Sequence, residues 1–169
     1  MQGGKFLPAF FVEEVELGQT FQRGQWPLHM SYFPPVDTTF KPELADRLRE
    51  YVNPMSPFVA KIGKGTKFGP EKDQPVLLVE PSKELIAVHR ALVSVLQYLP
   101  HPTQYRTPFR PHISLKEGGV EVDTDDMIEV GGFSIVERMP NSSTWHVLAK
   151  IGLKGADMKT DARLIKKSK

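Results

Sequence analysis

The sequence predicts an α+β fold with mainly antiparallel pairing, and three observations lead there. Strands and helices interleave, several strands adjoin with no helix between them, and one short strand motif occurs twice. A parallel sheet would need a crossover of a dozen or more residues, usually a helix, between paired strands. The order read here, β-β-α-β-β-α-β-β-β, lacks most of them.

The elements follow in order. Leu7 to Val15 is rich in aromatic and β-branched residues and reads as a strand, closed by the turn Leu17-Gly18-Gln19. A second strand runs from Pro27 to Phe33 and stops at Pro34-Pro35, because proline offers no amide hydrogen to a ladder. Thr38-Thr39 lead into a helix with Pro42 in its first turn and Leu44, Leu48 and Tyr51 as its apolar stripe. Asn53-Pro54 ends it. Phe58 to Gly65 reads as a strand, Gly69 to Gln74 as turn-rich, and Val76 to Val79 as a short apolar strand. Ser82 caps a helix bearing Leu85, Val88, His89, Leu92, Val95, Leu96 and Leu99 at i, i+3, i+4 spacing, ending at Pro100-His101-Pro102. Strands at Pro111 to Leu115, Met127 to Arg138 and Thr144 to Leu153 complete the chain, the last two joined by the turn Met139-Pro140-Asn141-Ser142.

Composition excludes several classes of protein. A chain of 169 residues with 40% hydrophobic and 25% charged residues is one globular domain. With no cysteine, disulfides, thiolate metal sites and cysteine nucleophiles are ruled out. No apolar run approaches the roughly 20 residues that cross a bilayer, and Met1-Gln2-Gly3-Gly4-Lys5 does not open a secretory signal. The expectation is a soluble, cytoplasmic monomer with no membrane association. Residues 154–169 carry a net +4 and the rest −2, so residues 1–153 are expected as the domain and 154–169 as a basic, flexible tail.

The repeated motif is H-x-S in a strand after a proline. Trp26-Pro27-Leu28-His29-Met30-Ser31-Tyr32 echoes Arg110-Pro111-His112-Ile113-Ser114-Leu115. Strand side chains alternate between faces, so each His shares a face with its Ser while the residue between points to the core. A pseudo-twofold duplication would set two imidazoles and two hydroxyls in one cleft. With an unperturbed pKa of about 6.5, one imidazole can accept a proton near neutral pH while the other donates one. In-line displacement at phosphorus needs that division. His29 and His112 are the expected acid and base, with Ser31 and Ser114 holding the non-bridging phosphate oxygens. The scheme requires no metal and no cofactor.

These residues resemble the 2H phosphoesterase superfamily, whose members carry two H-x-[ST]-x motifs in this order, and most of all its 2′-5′ RNA ligase-like branch. In that branch the second motif is an aromatic, Arg and Pro before H-x-T, then a leucine and a basic residue. Phe109-Arg110-Pro111-His112-Ile113-Ser114-Leu115-Lys116 matches it apart from Ser for Thr and Lys for Arg. The pair Phe133 to Glu137 and Trp145 to Leu148 falls where the closing strands belong, and the resemblance spans about residues 7–153. It implies a bilobal, pseudo-twofold fold with two mainly antiparallel sheets lining a central cleft and helices outside. The implied activity is hydrolysis or formation of phosphodiesters at a ribose 2′ position, on 2′,3′-cyclic phosphate ends, 2′-5′ linkages, cyclic nucleotides or RNA.

A lone strand histidine is ordinarily structural, and only the pairing of the motifs lifts these two above that. His89 flanks the helix core, His101 sits in a loop, and His146 faces either cleft or solvent. Base-stacking aromatics near the motifs are Tyr32 and Phe109, with Trp26 and Phe33 equally readable as core. Arg110 and Lys116 are the expected phosphate contacts. Gly63-Lys64-Gly65-Thr66-Lys67 lacks the spacing of a phosphate loop and reads as a strand and turn whose lysines rim the cleft. The partner is a nucleotide or RNA substrate. Three functions compete: a cyclic or 2′-5′ phosphodiesterase using water, a 2′-5′ RNA ligase or transesterifying nuclease using a ribose hydroxyl, and a non-catalytic RNA-binding module.

Overall fold

Among the described residues ten strands join through antiparallel pairings alone, and the two H-x-S strands meet in the middle of them. The computed structural model describes residues 3–22, 24–31, 33, 35–69, 71–97, 110–115, 121–154 and 160–167. The elements are β1 (Lys5–Phe11), β2 (Thr20–Gln22), β3 (His29–Ser31), α1 (Pro42–Val52), β4 (Phe58–Phe68), β5 (Gln74–Val79), α2 (Lys83–Leu96), β6 (His112–Ser114), β7 (Met127–Val130), β8 (Gly132–Arg138), β9 (Thr144–Gly152) and β10 (Ala162–Ile165). Their lateral order is β10-β7-β4-β5-β6-β3-β1-β8-β9-β2. The order divides into two halves of five strands joined at β3–β6, so the two expected sheets run on as one ladder.

One face of the sheet is apolar and covered by both helices. Phe10, Met30, Ile62, Val79 and Ile113 point to it and join Leu44, Leu48, Val52, Leu85, Leu92 and Leu96 in the main core. In α1, Pro42 occupies the first turn, where its missing N–H costs nothing. Its buried stripe is Leu44, Leu48 and Val52 at i, i+4, i+8, and Tyr51, expected in the stripe, is 44% exposed. In α2, the Ser82 hydroxyl accepts from the Leu85 N–H at 3.1 Å, the expected N-cap. The opposite face carries a smaller cluster of Phe11, Val15, Phe21, Val136 and Val147, flanked by Leu7, Trp26 and Trp145.

Three elements depart from the sequence reading. Thr20-Phe21-Gln22 pairs with β9, although its single apolar residue gave no strand signal. The run Met127 to Arg138 is two strands, divided where Gly131 and Gly132 both donate to the Asp161 carbonyl, at 2.8 and 3.1 Å. A Cβ on Gly132 would lie 2.5 Å from the Ile151 carbonyl oxygen, so only glycine fits that crossing. The third departure is the C-terminal segment. Residues 160–167 do not form a flexible tail, because β10 pairs with β7 and Lys166 Nζ reaches Asp126 at 2.6 Å and Asp123 at 2.9 Å. Burial alone would raise the Asp126 carboxyl, but Lys166 and the Lys167 and Asp123 N–H groups outweigh it and hold its pKa below the ordinary value.

Candidate active site

The register of the two central strands assembles the site. Met30 faces Ile113 and Ser31 faces His112 across β3–β6, and the same register carried one residue further sets His29 against Ser114. Alternation then turns Met30 and Ile113 into the helix-covered core, where neither is exposed, and turns all four motif side chains to the other face. There His29, Ser31, His112 and Ser114 are half-buried. Neighbouring strands finish the floor, with Phe11 and Ala9 of β1 beside His29 and Ser31, and Leu78 and Val76 of β5 beside His112 and Ser114.

Both imidazoles are oriented in the same way. His29 Nδ1 lies 2.9 Å from the Pro27 carbonyl oxygen and His112 Nδ1 lies 2.9 Å from that of Arg110, each two residues upstream. A carbonyl can only accept, so each Nδ1 carries the proton and each Nε2 is the basic nitrogen.

The ring surroundings differ. His29 stands 5.2 Å from the Trp26 ring and 5.5 Å from that of Phe11. His112 meets the edge of Phe68 at 4.6 Å, and the Arg110 guanidinium lies 4.7 Å from the centroid of the same ring. Burial, helped by the nearby Arg110 charge and opposed by the backbone hydrogen bond, pushes the His112 pKa below the ordinary histidine value. Beside it a pocket of about 430 Å³ is lined by Gly63, Lys64, Leu78, Glu80, Arg110 and Pro111. The pocket lies at a β-bulge, where the β4–β5 register slips by one residue between Ile62 and Gly65. Lys64 is among the residues that line this pocket.

Behind His29 lies an acid that sequence reading counted only among the tail charges. One oxygen of the buried Asp161 carboxylate accepts the Phe11 N–H at 3.0 Å and the Ser134 hydroxyl at 2.8 Å, where Phe11 is the register partner of His29. Burial raises its pKa to about 6, against the opposing pull of those bonds and of Lys150. Phe68 and Phe11 also went unnoticed, since only strand register brings them to the histidines. Of the residues expected to bind substrate, Arg110 is at the site, while Tyr32, Phe109 and Lys116 lie outside the described residues.

The remaining histidines stand elsewhere. His89 packs its ring 5.7 Å from Phe33, and burial lowers its pKa. His146 faces Glu137, 3.8 Å away on the helix side of the sheet, so it does not enter the cleft. His101 is outside the described residues. Among the described residues no three potential metal ligands converge, and no helix is long and apolar enough to cross a membrane.

No curated protein matches the chain. Among solved structures, a phosphoesterase superposes with a TM-score of 0.56 at 14% identity, over 89% of this chain and 98% of its own. E. coli LigT complexed with 3′-AMP gives a TM-score of 0.50 at 14% identity over 89% and 98%. LigT complexed with ATP gives 0.50 at 16% identity over the same shares. At such identities the likeness shows the fold alone. The family model of the 2′-5′ RNA ligase superfamily matches residues 9–131, from the middle of β1 through both H-x-S strands to the crossing at Gly131. The chain therefore belongs to the 2′-5′ RNA ligase superfamily, within the 2H phosphoesterases.

Proposed function

We propose that the chain is a metal-independent phosphodiesterase that hydrolyses a 2′,3′-cyclic phosphate, or a 2′-5′-linked or cyclic nucleotide or RNA end, by proton exchange between His112 and His29. The observation that carries this reading is the antiparallel juxtaposition of two H-x-S strands, with both Nδ1 atoms tied to main-chain carbonyls. Its lowered pKa keeps His112 neutral near pH 7, which suits it to be the base. Nε2 of His112 takes a proton from water as the water oxygen attacks phosphorus. On the opposite side His29, as imidazolium, protonates the departing ribose oxygen as its bond to phosphorus breaks. Ser31 and Ser114 donate to the non-bridging oxygens, and the two five-strand halves serve as lobes flanking the phosphate. E. coli LigT, a structural relative, holds 3′-AMP and ATP in its solved complexes, which supports a nucleotide as the ligand here.

The test is turnover of 2′,3′-cyclic nucleotides, 2′-5′ dinucleotides and cyclic dinucleotides in the presence of EDTA. Replacing either His29 or His112 by Ala is expected to lower kcat by about 10²–10⁴-fold. Wild type inactive on the whole panel, or alanine variants as active as wild type, would refute the reading. The family to which the chain belongs is described as a ligase superfamily, which favours a second reading. In it a ribose hydroxyl replaces water as nucleophile and the same two imidazoles act. Products from a 2′,3′-cyclic end mixed with a 5′-hydroxyl end separate the two: a joined strand means transfer, a monoester means hydrolysis. Binding of RNA without turnover would leave the non-catalytic reading.

A further inference from the structure

We propose that Trp26, Trp145 and Arg138 form an outer subsite for a second nucleotide, so that the substrate is a single-stranded oligonucleotide and not a mononucleotide. This rests on the reading that the scissile phosphate sits between His29 and His112.

Both helices cover the far face of the sheet, yet an aromatic row lies on the histidine face. The ring centroids step from His29 to Trp26 at 5.2 Å and from Trp26 to Trp145 at 5.3 Å, and the Arg138 guanidinium lies over the Trp145 ring, 5.9 Å from its centroid. Buried Phe11 and Phe21 back the row, at 6.2 and 5.7 Å from Trp26, and fix its position. Trp26 and Trp145 themselves are only half-buried and meet edge to face at 67°, so part of each side chain is reached by solvent. Among the described residues the Trp145 indole N–H has no hydrogen-bond acceptor, although a tryptophan in such a setting usually finds one.

Among the described residues no carboxylate compensates the Arg138 charge. Arg138 donates one bond, from Nη2 to the Gly3 carbonyl at 2.8 Å. Among the described residues it has no carboxylate partner, and its Nε has no acceptor. Its register partner Lys5 is answered by Asp37 at 3.4 Å, so the excess charge belongs to Arg138. Indole faces stack on any base and a guanidinium binds phosphate, so an aromatic row ending in an unanswered cation fits alternating bases and phosphates. The base next to the scissile phosphate meets Trp26. The following nucleotide meets Trp145, and its phosphate meets Arg138.

Trp26 and Trp145 are the two tryptophans of the chain, so tryptophan emission, excited selectively over the four tyrosines, reports on this row alone. The experiment titrates the full chain with oligoadenylates of one to four residues ending in a 3′-phosphate and follows tryptophan quenching. Affinity is expected to rise about tenfold between one residue and two or three. Trp145→Leu should abolish that step, and Trp145→Phe, which keeps a stacking ring, should retain most of it. Arg138→Gln should reduce the slope of log affinity against log salt by about one. Circular dichroism identifies any variant that fails to fold, and Arg138→Gln then carries the test. Equal affinity along the ladder, or a step and a salt slope that survive in the folded variants, would overturn the proposal. Turnover of 2′,3′-cyclic AMP is measured in parallel. A step without turnover leaves the subsite standing and removes the phosphodiesterase reading, whereas turnover with a flat ladder removes the subsite alone.

Discussion

Asp161→Asn should make the protein more stable at neutral pH and less dependent on pH. The side chain is 4% exposed, and burial lifts its pKa from 3.8 to about 6. The folded state thus binds this proton more tightly than the unfolded chain does. Its stabilisation is complete below pH 3.8 and is lost as the pH rises through 6. A shift of about 2 units at about 1.4 kcal/mol each puts the total near 3 kcal/mol, of which about 2 kcal/mol falls between pH 4.5 and 7.5. Asparagine keeps an oxygen for the Phe11 N–H and the Ser134 hydroxyl but has no charge to bury. Urea unfolding of both proteins across that range, compared as a difference, cancels every other titrating group. The variant should gain about 2 kcal/mol on wild type from the acid to the neutral end. A difference that stays flat with pH would refute the reasoning.

Three further outcomes are expected. Phe68→Ala uncovers the His112 ring, so the acidic limb of the kcat/KM profile, set by a base that must be neutral, should move to higher pH, as a rate-pH series would show. Ile113→Ala empties a fully buried position under β6 and should cost about 2–5 kcal/mol in urea unfolding, with loss of activity as the register of His112 loosens. Lys166→Ala removes the cation that holds Asp126 ionised. The thermal midpoint should drop most above the folded pKa of Asp126, and the deficit should shrink as the pH falls through it, as melts at several pH values would show.

Much of the site could be read before any fold was known, because its information is local. H-x-S within a strand already commits His and Ser to one face, and two copies with similar flanks imply a pair. The cap at Ser82 and the spacing of α2 were legible for the same reason. What could not be read depends on pairing between distant segments. Phe68 reaches His112 because β4 is long enough and bulged enough to bring its last residue there, which no spacing within Phe58–Phe68 announces. Asp161 looks like one charge of a basic tail until Gly131, Gly132 and Phe11 are seen to donate to it. Tyr51 was misplaced by one helical position because an aromatic outweighs Val52 in a pattern, although i+8 and not i+7 faces the core here.

The crossing at Gly131 bears on how the protein is made. There the chain leaves the half of the sheet that holds β7 and enters the half that holds β1, so β1 takes β8 as its neighbour from the far end of the sequence. During synthesis the segment bearing His29 emerges early, with one edge of its sheet open until residues 132–138 follow. Neither half is a continuous stretch of chain, so β1, which lies beside His29, has no neighbour on its outer edge until β8 has been made. Folding of this kind waits on long-range closure and is slow for the size of the chain. The interval before that closure is when the exposed β1 edge is open to wrong partners.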